Sequence, residues 1–580
     1  MKKLTRFLTP YRFSIALVLL LVFCQIMAEL QLPNLMSEIV NLGVSTGDTQ
    51  FIIRTGGFML VVALFSMACS IAASYFSAKN AMGAARDLRN AIFQKVESFS
   101  QAEFDNLSTA SLITRTTNDA QQMQMVVMMA QRMAIGAPIS MIGAIINAWN
   151  KDVQLMKVIA IAIPFIIAVI AMVQTRAIPL FSIGQKLIDR LNQVLREGLS
   201  GVRVVRAFGR EEYQSSRFNE ANFDLTGNNI KVQRIMAAMM PCMMLVINSA
   251  VIAVVWIGAH NIDDGFLQIG DLMAFTQYMM TILFSLMNVS MMFVMAPRVM
   301  VSARRIVEVL DTECQIQNPE IPTALPVPTS PERGLHISFE KVTFRYPGGE
   351  HPALEDISFE ANPGETVAII GSTGSGKTTI ANCILRFFDV ESGTVKADGI
   401  DIRKLSLEEL RSKIGYIPQR AVLFSGTIAE NLLYGNDTAS EEERFEALAI
   451  AQAEDFVTAL ADKEDSFVAQ NGNNFSGGQK QRLAIARALV RRPRLLIFDD
   501  SFSALDFKTD VALRQALHET ADKTTKIVIA QRVSTIMQAD CILVLNEGKL
   551  VGRGTHQELL QDCRVYKEIV RSQLSEAEIA

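Results

Sequence analysis

The stretch Gly371-Ser372-Thr373-Gly374-Ser375-Gly376-Lys377-Thr378-Thr379 has the residue types and spacing that a chain of phosphates needs. Glycines let successive backbone N–H groups curl around an anion. Lys377 can reach the outer phosphates, and the Thr378 hydroxyl can bind Mg²⁺. A chance glycine-rich turn needs no particular flanks. This one follows an apolar strand, Thr366–Ile370, and precedes a helix-like run, Thr379–Phe388, the strand–loop–helix setting that a phosphate loop requires. A second apolar strand, Leu495–Phe498, runs into Asp499-Asp500. A carboxylate delivered beside such a loop holds the metal and positions water. Tyr346, in Phe344-Arg345-Tyr346-Pro347, lies 25 residues ahead of Gly371. An aromatic there can stack on adenine; an ordinary strand aromatic is the competing reading.

The elements that must carry these residues fall into two unlike halves. The chain has 580 residues, 50% of them apolar and 20% charged. That balance excludes a disordered chain, which needs low hydrophobicity and high net charge. It is also too apolar for an ordinary soluble enzyme. Seven scattered cysteines, with Cys24, Cys69 and Cys242 inside apolar runs, exclude a disulfide-built secreted domain. Residues 1–310 carry 26 Lys+Arg against 19 Asp+Glu, whereas residues 311–580 carry 29 against 40. An apolar, slightly basic half therefore precedes an acidic one, and the acidic balance argues against nucleic acid as a partner. Pro319, Pro322, Pro326, Pro328 and Pro331 mark a linker over 311–335, leaving a first domain at 1–310 and a second at 336–580.

A membrane span needs about 20 mostly apolar residues. Six stretches qualify, at 13–38, 56–78, 133–150, 153–173, 235–258 and 271–295, the third weakened by Asn147. The long gaps, 79–132 and 174–234, hold six and ten basic residues; the short gaps hold only Arg54 and Lys151. Positive loops stay in the cytoplasm, so both termini and both long gaps are expected inside. The first apolar run continues past Glu29 to Pro33 without a small-residue cleavage site, so no cleaved signal peptide is expected. Apolar residues at three- and four-residue spacing predict that the long gaps are helices extending the spans. Phe104–Asp119 and Gly201–Phe218 stand at their tips as contact elements.

Asn474-Phe475-Ser476-Gly477-Gly478-Gln479 resembles the signature motif of ATP-binding cassette (ABC) proteins. The phosphate loop, Gln419 after Tyr416-Ile417-Pro418, the Asp499 strand and Ser503-Ala504-Leu505-Asp506 follow that family's order and spacing from about residue 336 onward. Six spans fused ahead of the cassette resemble an ABC exporter half-transporter. The resemblance implies an all-α six-helix membrane domain followed by an α/β P-loop nucleotide-binding domain, with the two tips as coupling helices. It implies that two cassettes sandwich two ATPs. Each site would take Tyr346, Gly371 to Thr379, Gln419 and Asp499 from one chain, with Mg²⁺ on Thr378, Gln419 and Asp499. Phe475 to Gln479 would come from the other chain, presenting a helix N-terminus to the γ-phosphate, and Ser503 to Asp506 would form the D-loop.

The sequence departs from that family at three places. Asp500 stands where the catalytic Glu is usual. Gln531, after Ile527-Val528-Ile529-Ala530, stands where the switch His is usual, and Gln470 replaces an acidic residue nine before Gln479. Losing one methylene withdraws a carboxylate by about 1.5 Å, and a misplacement near 1 Å can cost about 10²-fold. An amide carries no proton near neutral pH. Impaired catalytic positions beside an intact signature imply a heterodimer, in which the partner supplies the Glu and the His. A slow homodimer, a peptide or lipid exporter, and an ATP-sensing membrane regulator that does not pump are the alternatives.

Gln25 and Glu29 in the first span and Asn288 in the sixth are intramembrane polar groups, candidates for substrate contact. Met287 and Met291 share a helix face and suit a hydrophobic or amphipathic small molecule; ordinary helix packing or lipid contact is the competing reading. The expected home is a bacterial plasma membrane, crossed several times.

Overall fold

The computed structural model describes residues 3–326 and 334–574. It divides into two compact units, Met1–Glu97 with Ala110–Thr312, and Ser98–Thr109 with Glu313–Ala580. Pro328 and Pro331 of the expected linker lie outside the described residues.

The first unit is helical. Among the described residues six helices, Leu4–Val44, Thr49–Glu97, Thr109–Lys151, Met156–Ser200, Glu211–Asp263 and Ile269–Val289, are long and apolar enough to cross a membrane. The second has 49 residues, about 74 Å at 1.5 Å per residue, against an apolar bilayer core of about 30 Å. The spans thus continue as helix far beyond the membrane, as the periodicity of the long gaps predicts. Val18, Val22, Ile26 and Leu30, spaced by four, bury one face of the first helix against a core that includes Phe275, Tyr278, Met279 and Ile282. Phe58, Leu60, Val61, Leu64 and Phe65 of the second helix remain exposed, which suits lipid. Asn147 is accommodated by local bonds. It donates to the Gly143 carbonyl at 2.9 Å and accepts from Asn34 at 3.1 Å. Lys151 pairs with Asp271 at 2.7 Å, and Ser37 donates to the same carboxylate oxygen at 2.7 Å.

The described residues of the second unit hold twelve strands. They are β1 (Ile337–Phe344), β2 (Leu354–Ala361), β3 (Thr366–Gly371), β4 (Ser392–Ala397), β5 (Ile400–Asp401), β6 (Ile414–Ile417), β7 (Gly426–Thr427), β8 (Phe467–Val468), β9 (Leu495–Asp499), β10 (Thr525–Ile529), β11 (Cys541–Asn546) and β12 (Lys549–Gly554). A six-stranded sheet runs β12-β11-β3-β10-β9-β6, parallel except for β12. Its faces enter separate cores, Val367, Ile369, Ile497 and Ile527 on one side and Ala368, Ile370, Phe498 and Val528 on the other. Burial on both faces explains the continuous apolar runs seen in the sequence. A four-stranded antiparallel sheet, β2-β1-β4-β5, shares the first of these cores.

The tip of the first long gap packs with this unit. Its helix spans Gln101–Leu107, three residues earlier than the sequence reading placed it, because Ser100 and Glu103 form a capping box. Ala102 is buried in the core that the two sheets share. Glu103 Oε2 accepts from the Ser100 N–H at 2.7 Å, and Oε1 accepts from the Gln315 N–H at 3.2 Å. Burial pushes the Glu103 carboxyl up, but these bonds and that of the Ser100 hydroxyl outweigh it, leaving its pKa below the ordinary 4.5.

Glu103→Ala should therefore lower the thermal stability of the purified chain by about 1–3 kcal/mol. A folded-state pKa below the unfolded one stabilises fully above the unfolded value and loses that gain as pH falls through the lower folded value. Melting curves of wild type and Glu103→Gln should converge as pH drops below about 4.5; parallel curves would exclude a role for the charge.

Candidate nucleotide site

After β3 the chain turns through Gly374 (φ 81°) and Gly376 (φ 98°) into the helix Lys377–Ile384. That helix begins two residues earlier and ends four earlier than the sequence run suggests. A Cβ at Gly376 would lie 2.6 Å from the Ala353 carbonyl oxygen, and one at Gly371 would strike the carbonyl of Leu545. Ser372 and Thr373 are exposed on the loop, while Ser375 is buried with no hydrogen-bond partner for its Oγ. Lys377 Nζ donates to the Gly371 and Ser372 carbonyls at 2.8 and 2.7 Å. Burial pushes its pKa down, against the pull of Asp500 and Asp499. An ammonium at a glycine loop with an orphan buried hydroxyl is a fitting cradle for phosphate oxygens.

Thr378 Oγ1 donates to Asp499 Oδ1 at 2.9 Å, and Tyr416 donates to Asp499 Oδ2 at 3.4 Å. Burial raises the Asp499 pKa while these two donors oppose the rise. A hydroxyl and a carboxylate brought together suit a hard divalent ion such as Mg²⁺; the Gln419 side chain, expected beside them, is instead bonded through its amide nitrogen to Asp500. Bound there, the ion would neutralise charge on phosphate oxygens. Tyr346 meets Phe344 and Phe388 in edge-to-face contacts at 4.9 and 5.2 Å. Its hydroxyl shares a hydrogen bond with Thr379 Oγ1 at 3.0 Å and accepts from Asn382 at 3.4 Å. Thr379 thus ties the aromatic ring to the phosphate-loop helix.

Asp500 leaves β9 with φ 48°, its N–H donating to the Ile529 carbonyl at 2.8 Å. Its Oδ2 accepts from two amides, Gln419 Nε2 at 2.9 Å and Gln531 Nε2 at 2.8 Å. Three sequence-predicted catalytic residues therefore meet on one carboxylate oxygen. Ser503 Oγ donates to the Asp500 carbonyl at 2.8 Å. Gln573 braces this corner, donating to the Gln531 carbonyl and accepting from the Val533 N–H, both at 2.8 Å. Sequence reasoning missed Tyr416 and Gln573 as site residues. Tyr416, three residues before Gln419, was within reach of it; Gln573 carries no local signal.

Ser476 caps the helix Gly477–Val490. Its hydroxyl accepts from the Gln479 N–H at 3.3 Å, and its own N–H donates to Gln479 Oε1 at 2.9 Å. Phe475 packs edge-on to Phe456 at 6.4 Å. Asp506 caps the helix Phe507–Thr520, Leu505 is buried, and the Ala504 carbonyl lies 3.4 Å from where a Gly478 Cβ would stand. Gln470 is exposed. Among the described residues no hydrogen bond joins Ser476–Gln479 to the phosphate loop, Asp499 or Asp500. In the membrane unit Gln25 donates to Glu29 Oε1 at 2.9 Å. Met287 packs against the helix core, Asn288 is exposed, and the Met291 side chain lies outside the described residues.

Residues 15–287 match the ABC transporter transmembrane region family and residues 354–503 match the ABC transporter family. The chain is 42% identical over 573 residues to an uncharacterised ABC transporter ATP-binding protein of Mycobacterium tuberculosis, covering 98% of this chain and 97% of that one. The chain belongs to the ABC transporter family. It is also 30% identical over 584 residues to the ATP-dependent lipid A-core flippase of Vibrio vulnificus, covering 99% and 98%. A bacterial Atm1-family ABC exporter solved with ATP bound matches it with a TM-score of 0.81 at 25% identity, over 98% of this chain and 99% of that one. This ABC transporter is thus a multi-pass membrane protein with the architecture of an exporter half-transporter, its membrane domain fused ahead of one ATP-binding domain.

Tyr346→Ala should weaken ATP binding about tenfold or more, since stacking on a base is worth about 1–3 kcal/mol. Tyr346→Phe keeps the ring and should bind within about twofold of wild type. Titration with a fluorescent ATP analogue decides between the two; equal affinity for both variants would assign Tyr346 to the strand core alone.

Proposed function

We propose that this ABC transporter chain is one half of a heterodimeric exporter that moves hydrophobic or amphipathic compounds out of the cytoplasm or the inner leaflet. Its own ATP site binds Mg²⁺-ATP on Tyr346, the phosphate loop, Gln419 and Asp499 but turns it over slowly. The observation that carries this reading is the clamp on Asp500. The carboxylate is already one methylene short, and two amides hold one of its oxygens. A base so held is poorly placed to reach a water near the γ-phosphate. Gln531 cannot take over, because an amide does not accept a proton near neutral pH.

The signature cap at Ser476 is intact and would serve the ATP of a partner chain that carries the Glu and the His. A second chain also suits the tip of the second long gap. Its helix Val202–Ala207 buries no residue, and Val204 within it and Phe208 just after it are 60% and 76% exposed. Apolar side chains grouped this way mark a contact surface. The lipid named for the Vibrio relative keeps an amphipathic lipid among the cargo classes. The basic long gaps support a reading with both termini in the cytoplasm, in a bacterial plasma membrane.

The test is ATPase activity of the purified chain, alone and with its partner half-transporter. The chain alone should be nearly inactive and the pair active, and Ser476→Arg should abolish the pair's hydrolysis. Asp500→Glu with Gln531→His should raise turnover at this chain's own site by about 10²-fold. A lone chain that dimerises and hydrolyses ATP at the pair's rate would replace the heterodimer with a homodimer in which Asp500 is a working base. Nucleotide binding without substrate movement by any assembly would point to a sensor.

A further inference from the structure

In the membrane unit a cavity of about 460 Å³ lies between the first, second, third and last long helices, with Ile26, Leu30, Met36, Met59, Met273 and Tyr278 on its walls. That volume is in the range of sites for drug-sized ligands. Glu29 is the one charged residue among the described residues lining it. Its Oε1 accepts from Gln25 Nε2 at 2.9 Å and from Ser66 Oγ at 3.2 Å. Its Oε2 accepts from none of the described residues. These two donors stand on different helices and hold the carboxylate in one orientation.

The backbone adds a second acceptor at the same place. Pro33 lies inside the first helix and also lines the cavity. Proline has no N–H, so the Glu29 carbonyl, four residues earlier, loses its usual helical donor. The nearby Tyr278 hydroxyl donates instead to the next carbonyl, Leu30, at 2.7 Å. The cavity thus offers a carboxylate oxygen with no donor among the described residues, near a backbone carbonyl that proline deprives of its usual helical N–H, beside soft apolar walls. A carboxylate inside a membrane is costly unless a partner meets it, and the complement of such a site is a cation with an apolar body.

We propose that this cavity binds an amphipathic organic monocation, its charged head against Glu29 and its body along the methionines. The inference rests on the exporter reading and specifies the charge that the cargo carries. An anion of the same shape would meet the Glu29 charge in a medium of low dielectric and be repelled.

Tetraphenylphosphonium and tetraphenylborate share size and shape and differ in charge. Their affinities are to be measured on the full-length transporter in an uncharged detergent and compared as a ratio, so that partition into the micelle cancels between variants. The phosphonium-to-borate affinity ratio should fall about tenfold or more in Glu29→Gln and be kept in Glu29→Asp. Met59→Lys, which adds a positive charge across the cavity and leaves Glu29 in place, should lower the ratio as well, and it carries the test if Glu29→Gln does not fold. A ratio unchanged in both Glu29→Gln and Met59→Lys overturns the proposal. ATP-driven movement of a neutral amphipath, Nile red, by the wild-type chain together with its partner half-transporter in proteoliposomes separates the two readings. Nile red transport with an unchanged ratio sinks the charge assignment alone. A charge-dependent ratio with no transport of Nile red or the phosphonium sinks the exporter reading alone.

Discussion

Parallel pairing of β10 between β3 and β9 is the constraint on which the nucleotide site depends. Ile529 stands level with Ile369 on one side and Asp499 on the other. The three strands therefore end at one edge, and the phosphate loop, the Asp499-Asp500 pair and Gln531 all leave from it. Two backbone bonds just past the strand ends, Asp500 N–H to Ile529 and Ala530 N–H to Ile369, fix that level at 2.8 and 3.1 Å. A slip of one residue would turn Asp499 to the opposite face of the sheet. Burial of both faces forbids the slip, because Ile497 and Phe498 would exchange cores. The Thr378–Asp499 bond, between residues 121 apart in sequence, is a product of this register rather than of any local preference.

What was legible in the sequence follows the same division. The phosphate loop was plain because its chemistry is local, with glycines, a lysine and hydroxyl residues in one run. The signature cap was plain for the same reason, Ser476 and Gln479 being three residues apart. The meeting of Gln419, Asp500 and Gln531 on a single oxygen was not, since each was named for a role toward phosphate and none toward the others. Only strand order brings them together. The tip helix was placed late because the reading began at the aromatic Phe104 and passed over the Ser100–Glu103 spacing, a capping signal open to view.

The membrane unit shows where periodicity runs out. A repeat of four identifies a face, and Val18, Val22, Ile26 and Leu30 do share one. It does not say which neighbour that face meets. Met287, expected at a cavity, packs against the helix core, while Met36, Met59 and Met273, from three different helices, line the cavity found. Soft side chains spread over three helices leave no pattern along any one of them. Glu29 was legible because an acidic residue in an apolar run stands out without periodicity, and Pro33 four residues later is equally visible. Their joint effect, a carboxylate beside a carbonyl that has lost its helical donor, needs only helix geometry.

The signature helix bears on how the two functional halves of this chain divide. Gly477 and Gly478 open that helix, and glycine costs up to about 1 kcal/mol in a helix relative to alanine. Elsewhere in the unit such glycines answer a local need: a Cβ at Gly371 or Gly376 would strike backbone. At Gly477 no atom lies within 4 Å of where a Cβ would stand, so nothing in its own chain requires the bare backbone. A helix start that is capped, exposed and free of side chains gives up stability without any internal return. What it gains is open N–H groups at the positive end of a helix dipole, and these have value only to an anion that arrives from outside the chain. The Asp500 corner is the reverse case, buried and tied inward by Gln419, Gln531 and Ser503. One helix start is left open at the surface, and the other corner is held shut by the chain's own side chains. These opposite physical conditions are what the proposed division of labour between two chains would require.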